Sequence, residues 1–409
     1  MQKLSRYPLG DVLFFLLLVV TIYFTRNALC SILMVVFFCY YCILPLREKK
    51  VLSIPWFCIG FSIFILYGAL NIFLGNVIRT STARSMVISL TLNLMMIYAI
   101  VQYVRIRKDI PTVLQILELS IRVATLTVVF LSLGTLAEGR LAKGTEMNSN
   151  ALSMFCVYGL ILTLYLRRIG NVSKYAFWFR MILYAAIVLL TGSRKGLIMI
   201  FVAFIVISLV QGRKKLVRNA LVWAFAATVC YWAIMNIPVL YNIVGIRVEN
   251  LIELLTEGKT SEDSLNDRMG LVQIALLYIR KKPWTGYGYD CFKWVSGFDG
   301  QGYTFGNRVG FYSHNNYIEL LFGGGIIGFV LYYIPIISLL KKLFRSLQDD
   351  PSILYLLAIL VSKLVVEYAY VSYYERMDIY IVAIILACTL VCGKNRNHLP
   401  SKCTTKNSW

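Results

Sequence analysis

The chain has 409 residues, of which 59% are apolar and 15% are charged, and its mean hydropathy is +0.70. Soluble domains average about 45–50% apolar and about 25% charged residues, so this composition excludes a water-soluble globular protein. The net charge of +21 raises the question of nucleic acid. Because the cations follow the loops of a membrane topology, we expect no nucleic acid partner.

Apolar residues occur in continuous runs, which argues against the alternating segments of about 10 residues that build membrane barrels. A helix needs about 20 apolar residues to cross a bilayer. The sequence therefore predicts an all-α, polytopic membrane protein with about twelve transmembrane helices. The predicted spans are residues 9–24, 28–44, 54–74, 85–104, 112–134, 151–166, 175–190, 196–210, 216–235, 316–340, 353–371 and 379–392.

Lysine and arginine concentrate in alternate loops, and the positive-inside rule then places both termini in the cytoplasm. We expect transmembrane helices 1–9 within residues 1–235 and transmembrane helices 10–12 within 314–392. Residues 236–313 form a large extracytoplasmic loop between spans 9 and 10, and residues 393–409 form a cytoplasmic tail.

The C-x-x-C formed by Cys39 and Cys42 lies inside an apolar run, and the whole chain has only two histidines. This pattern favours buried structural cysteines over a metal or redox site, so we expect no metal.

Five charged residues fall well inside the predicted spans. Glu118 and Arg122 are four residues apart, as are Lys363 and Glu367, so each pair can meet on one helix face, whereas Arg180 has no local partner. Ions inside a membrane are costly and mark candidate functional sites. The alternative is mutual neutralisation during insertion and helix docking.

The long exterior segment contains two helical patterns. In residues 243–257 the apolar side chains fall on one helix face and acidic residues occupy polar positions, which is typical of an amphipathic helix at a membrane interface. Ser264 and Asp267 then resemble a capping box that opens a second helix, which ends near Ile279 before Pro283. Arg268 lies in the predicted first turn, where the helix dipole disfavours a cation unless an anion is near.

The sharpest local pattern is residues 313–328. His314 is the only histidine in the predicted exterior segments, and it stands where a loop enters a membrane helix. Glu319 follows about one turn later, and the glycines at 323–325 permit close approach of another helix or a lipid. His314 is a candidate catalytic residue on this spacing, with a helix cap or interface residue as the alternative.

Several motifs occur in one order along the chain. The first is Arg268, and the second is the Pro-x-x-Gly-x-Gly-x-x-x-Phe pattern of residues 283–292. They are followed by the His-Asn-x-Tyr pattern of 314–317 and then by the glycines of 325–328. This order resembles the O-antigen ligase and Wzy-type polysaccharide polymerase superfamily. The turn at residues 191–194 also resembles the Ser-Arg turn of that family.

The resemblance implies glycosyl transfer on the extracytoplasmic face from an undecaprenyl-diphosphate-linked glycan to a sugar hydroxyl, with no cofactor, metal or nucleotide sugar. The leaving diphosphate then needs fixed cations, and arginine matches phosphate oxygens in pairs. Arg194 and Arg268 are the first candidates for diphosphate binding, followed by Arg79 and Arg84. His314 is the candidate general base of a direct, inverting displacement.

Four further residues are candidates for substrate binding: Asn315, Tyr317, Glu319 and Arg376. The family often carries a glutamate nine residues after the histidine, where this chain has Gly323. The nearest carboxylate is that of Glu319.

The first functional hypothesis is a repeat-unit polymerase for capsule, exopolysaccharide or O-antigen, located in the bacterial plasma (inner) membrane. Its expected partners are the lipid-linked donor and acceptor, membrane lipid, a chain-length regulator and a flippase. The second hypothesis is a ligase that transfers finished polymer to lipid A core or a cell-wall glycan. The third is a transporter of lipid-linked oligosaccharides, which is disfavoured because no internal repeat is evident.

Overall fold

The computed structural model describes residues 8–24, 28–47, 53–132, 141–142, 145, 147–210, 221, 228, 231–238, 241–257, 263–296, 310–347, 350 and 353–394. The regular elements in these ranges are helical. The α-helices are α1 (Pro8–Tyr23), α2 (Ala28–Arg47), α3 (Trp56–Phe73), α4 (Thr80–Arg107), α5 (Ile110–Ser132), α6 (Ser149–Arg168), α7 (Lys174–Leu190), α8 (Arg194–Val210), α9 (Ile246–Glu257), α10 (Asp263–Lys281), α11 (Asn316–Ser346), α12 (Ile353–Val366) and α13 (Arg376–Lys394).

Five helices of the described chain are long and apolar enough to cross a membrane, namely α3, α4, α5, α6 and α11. Each predicted span coincides with a described helix, except 216–235, which lies largely outside the described residues. The eleventh run is shorter than predicted, because α12 ends at Val366 and a 3-10 turn follows at Glu367–Ala369. The total of twelve spans stays a prediction.

Large apolar side chains lie on the outside of these helices. Phe130 is 74% exposed, Leu66 is 66% exposed and Phe201 is 63% exposed. Exposed apolar surface of this extent suits contact with lipid tails. Together with the long apolar helices, it supports a multi-pass membrane protein.

The last helices pack among the first ones. Helix α12 packs against α8, α13 against α4 and α11 against α3. One buried apolar cluster extends from Phe14 on α1 to Val391 on α13. The ends of helices that are distant in sequence therefore meet at one end of the bundle.

The charged residues inside the predicted spans pair with one another. Glu118 is fully buried on α5 and lies 3.4 Å from Arg122 and 3.0 Å from Arg180 of α7. The Tyr184 hydroxyl donates to the same carboxylate at 3.0 Å. The predicted pair is confirmed, and the partner of Arg180, which is not visible from local spacing, lies on another helix. These contacts join α5 to α7.

The second predicted pair, Lys363 with Glu367, also forms. Glu367 accepts a hydrogen bond from the Ser372 hydroxyl at 2.6 Å and one from the Asn316 side chain at 3.3 Å. The side-chain oxygen Oδ1 of Asn316 accepts a hydrogen bond from the Ser372 backbone N–H at 2.9 Å. This buried network fixes the segment between α12 and α13 against the start of α11, as the helix-docking alternative predicts.

Helix α11 is broken at Gly325, where φ is 62° and ψ is −167°. The segment 283–288, which follows α10, fills the break. The backbone N–H groups of Tyr287 and Gly288 donate to the carbonyls of Phe322 and Gly323 at 2.9 and 2.8 Å, and the Ile326 N–H donates to Pro283 at 2.8 Å. An unpaired peptide group in lipid costs several kcal/mol, so these bonds allow a membrane helix to be interrupted.

The glycine motif therefore has a different partner from the one expected. A Cβ added at Gly325 would lie 2.3 Å from the Trp284 carbonyl, and one at Gly323 would lie 3.1 Å from the Gly288 oxygen. The close neighbour is a loop rather than another helix or a lipid. The same contact leaves little space for a glutamate at position 323.

Two helices lie in the described part of residues 236–313, as the sequence predicts, with one correction to their bounds. Helix α9 covers most of residues 243–257 and follows a π-helical turn at Tyr241–Gly245. Helix α10 begins at Asp263. Ser264 therefore lies within the helix rather than at its cap, because the helix begins two residues earlier than the capping pattern predicts.

The break in α11 generates a stability prediction. We expect Gly325→Ala to lower the free energy of unfolding by at least about 3 kcal/mol, because alanine can neither adopt this backbone conformation nor fit beside Trp284. Gly75→Ala is the matched control: Gly75 has φ of 68° but nothing within 4 Å of an added Cβ. Its cost should be only about 1–2 kcal/mol. Unfolding of the purified protein in detergent measures both, and equal losses would contradict the seated loop.

Candidate functional site

A cavity of about 770 Å³ lies where the helix ends meet. It is bounded by the C-terminal end of α1, the N-terminal ends of α6, α8 and α13, and the loop before α11. Its polar lining consists of Asn148, Asn150, Lys195, Arg268, Tyr312, His314, Tyr370, Tyr374, Glu375 and Asp378. All of these helix ends fall on the side that the loop charges predict to be extracytoplasmic.

His314 is held at this cavity by the start of α11. Its backbone has a φ of 56°, and its half-buried ring lies 4.2 Å from that of Tyr312. The next residue, Asn315, caps α11 by accepting hydrogen bonds from the backbone N–H groups of Tyr317 and Ile318. A second tie joins this loop to the helix, since Glu319 accepts from the Ser313 N–H at 2.8 Å.

The electrostatic setting keeps His314 neutral. Burial, together with the neighbouring cations Arg268 and Lys195, lowers the pKa of its imidazole to about 4, and burial is the largest of these causes. At neutral pH the ring is therefore uncharged and able to accept a proton.

Two cations line the cavity with His314. Arg268 is half-buried on α10, and Lys195 is only 8% exposed in the first turn of α8, with its ammonium group 5.3 Å from the Tyr370 ring centre. Partly desolvated cations near a helix N-terminus form a setting that binds phosphate groups.

The sequence patterns do not single out Lys195. The preference of phosphate for arginine draws attention to Arg194, although Lys195 follows directly after the same Ser-Arg turn. The position of Lys195 in the chain could have indicated it, because α8 begins at Arg194 and both residues therefore stand in its first turn. Lys195 lines the cavity, and Arg194 is not among the lining residues.

Other candidate residues lie elsewhere. Arg79 and Arg84 are exposed, and the Arg79 guanidinium lies 4.9 Å from the Trp294 ring centre. Neither residue lines the cavity. The Tyr317 hydroxyl donates to the Leu364 carbonyl at 2.6 Å. Arg376 lines a second, neighbouring cavity. Arg268 and His314 thus line one cavity, whereas Arg79, Arg84 and Arg194 are not among its lining residues.

The carboxylates of the site are Glu375 and Asp378, at the beginning of α13. Asp378 is 7% exposed. Within the described ranges, no group of three or more His, Cys, Asp or Glu side chains is arranged to hold a metal ion. The chemistry that the cavity offers is therefore a neutral imidazole beside two cations, with tyrosine rings and two carboxylates around them.

Comparison with known proteins gives one match. Residues 179–333 match the family model Wzy_C, which is described as O-antigen ligase. No curated protein matches the chain. The matched segment includes Lys195, Arg268, His314 and the break at Gly325. Over residues 179–333, the match confirms the resemblance to the O-antigen ligase and Wzy-type superfamily that the motifs carry.

Proposed function

We propose that this protein is a membrane glycosyltransferase that moves a growing undecaprenyl-diphosphate-linked glycan onto a carrier-linked repeat unit. The observation that supports this proposal best is the single cavity shared by His314, Arg268 and Lys195. The family match adds that the substrates are lipid-linked glycans in a membrane. The proposed site faces the extracytoplasmic side of a bacterial inner membrane, with both termini in the cytoplasm.

The two cavity cations serve the donor diphosphate. Arg268 and Lys195 are partly or largely removed from water, and charge interactions strengthen as the local dielectric falls. They neutralise the negative charge that grows on the leaving diphosphate as the glycosidic bond breaks. Arg194 is proposed to join them from the same helix turn, and Arg79 and Arg84 to attract the anionic headgroup before it enters.

The transfer is one displacement. The neutral imidazole of His314 accepts the proton of the acceptor hydroxyl, whose oxygen forms a bond to the anomeric carbon of the donor. The bond from that carbon to the diphosphate oxygen breaks, and its electron pair stays on the carrier diphosphate. Attack and departure occur on opposite faces, so the anomeric configuration inverts. Tyr312, Tyr370 and Tyr374 are placed to contact the sugar rings.

Binding of the donor prepares the base. In the ligand-free cavity, burial is the largest cause of the low pKa of His314, and Arg268 and Lys195 lower it as well. A bound diphosphate cancels their field and so raises the pKa of the imidazole, which makes it a stronger proton acceptor. The imidazole thus becomes a stronger base only when the donor is present.

A ligase is the alternative function, because the matched family model is described as O-antigen ligase. It would use the same donor and the same base, and it differs only in the acceptor. Carrier-linked repeat units support the polymerase, whereas lipid A core or a cell-wall glycan as acceptor supports the ligase. A chain-length regulator and a flippase are the proposed partners of the polymerase.

The role of His314 is tested by substitution. We expect His314→Ala to lower kcat by about 10²- to 10⁴-fold, the range for loss of a general base, with the donor KM changed much less. The assay incubates purified protein with carrier-linked repeat units and follows product length by gel electrophoresis. An unchanged melting temperature controls for folding. Polymer formed at the wild-type rate would remove His314 as the base.

The role of Arg268 is tested against an arginine of the same helix. We expect Arg268→Ala to lower kcat/KM for the donor by about 10²- to 10³-fold, because a cation on the leaving group is lost. Arg280→Ala is the control, since Arg280 is exposed near the end of α10 and does not line the cavity. Its kcat/KM should stay within about twofold. Equal losses in the two variants would show that the charge of the helix, rather than the site, matters.

The pH dependence follows from the pKa of His314. The imidazole must be neutral to act, so activity falls as the pH drops through its pKa. The acid limb of kcat/KM, which reports the free enzyme, should have its midpoint near pH 4. The acid limb of kcat should lie at a higher pH, because bound diphosphate raises the pKa. A single limb near pH 6.5 or above in both profiles would contradict the buried, cation-flanked base.

A further inference from the structure

A second cavity of about 420 Å³ adjoins the first. The two share one wall, formed by Tyr312, Tyr374 and Glu375. The remaining lining of the second cavity comes from α4, from the turn after Asp290 and from Arg376 at the start of α13. Its volume lies within the range of small-molecule sites, about 300–1,000 Å³. A transfer between two substrates requires two such spaces with a common boundary.

We propose that this second cavity binds the sugars of the acceptor glycan next to its attacking hydroxyl. The inference rests on the proposed transfer function and assigns the acceptor its place. A hydroxyl held at the shared wall faces the cavity that contains His314, Arg268 and Lys195. The donor and acceptor then meet across Tyr312 and Tyr374.

The lining matches sugar chemistry. Phe311, Tyr312 and Tyr374 offer flat apolar ring faces, which suit the C–H faces of pyranose rings. Ser89, Glu375 and Arg376 offer groups that hydrogen-bond to hydroxyls. A mixture of aromatic walls and a few polar groups is the usual composition of a site for a neutral polar ligand.

The arrangement of the charges, rather than their number, favours a hydroxyl group in the second cavity. Each cavity is lined by two cations and two carboxylates, and Glu375 belongs to both. In the second cavity Lys293 lies 2.5 Å from Asp290 and pairs with it. Arg376 makes no ion pair with a described residue, and its Nη1 atom is buried without a hydrogen-bond partner. A guanidinium N–H without a partner suits a sugar hydroxyl, which can accept its hydrogen bond.

The test measures binding rather than turnover. The probe is the free oligosaccharide repeat unit, without carrier, released from the polysaccharide of the host cell. Calorimetric titration into the full-length protein in nanodiscs gives the affinity. Ser89→Trp fills the second cavity and should weaken binding by about tenfold or more, because only the first cavity then remains open to the sugar. Ser85→Trp, one turn away on α4 and exposed, is the matched control and should bind within about twofold of wild type.

A second variant guards against misfolding of Ser89→Trp. Arg376→Gln removes the charge with little change in volume and should weaken binding by about tenfold or more, as expected for loss of a charge-assisted hydrogen bond. Wild-type affinity in Ser89→Trp or in Arg376→Gln would overturn the proposal, as would absence of binding to wild type. Binding that follows these expectations in a protein that transfers no glycan would refute the proposed function and retain the sugar site.

Discussion

The arrangement of the site depends on one set of backbone hydrogen bonds, those that seat residues 283–288 in the break of α11 at Gly325. Peptide groups inside a membrane must be paired, so a helix can be interrupted there only where another segment supplies the partners. That segment is the direct continuation of α10, which carries Arg268. The interrupted helix, α11, begins at Asn316, two residues after His314. Pairing the backbone at the break therefore also fixes the helix of the cation against the helix of the imidazole.

A small apolar core supports this contact. Leu271 and Ala275 of α10 pack with Phe292 and Phe322 in a buried cluster separate from the main core. The buried network around Glu367 fixes the other side of the cavity, where Tyr370, Tyr374 and Glu375 lie. The backbone bonds at the break, the hydrogen bonds around Glu367 and this apolar cluster thus all fix the segments that surround the cavity. Their common effect is to hold a neutral imidazole and two cations at one end of a bundle of apolar helices.

The sequence predicts the helices well because the requirement for about 20 apolar residues per crossing leaves little freedom in their placement. It also predicts that His314 and Arg268 matter, through the order of their motifs. It does not predict the break at Gly325, since three consecutive glycines fit close packing of any kind. Nor does it predict Lys195 or the partner of Arg180. Those depend on which helix ends and faces meet in space, which periodicity does not encode.

The proposed mechanism requires the diphosphate of the donor to bind beside His314. The chain has only two histidines, so the imidazole signals of the purified protein can be assigned by comparison with His398→Ala. Nuclear magnetic resonance titration of His314 with and without undecaprenyl diphosphate is the most direct measurement. We expect a pKa near 4 in the ligand-free protein and a clear rise when the lipid diphosphate is bound. A pKa that does not respond to the ligand would contradict it.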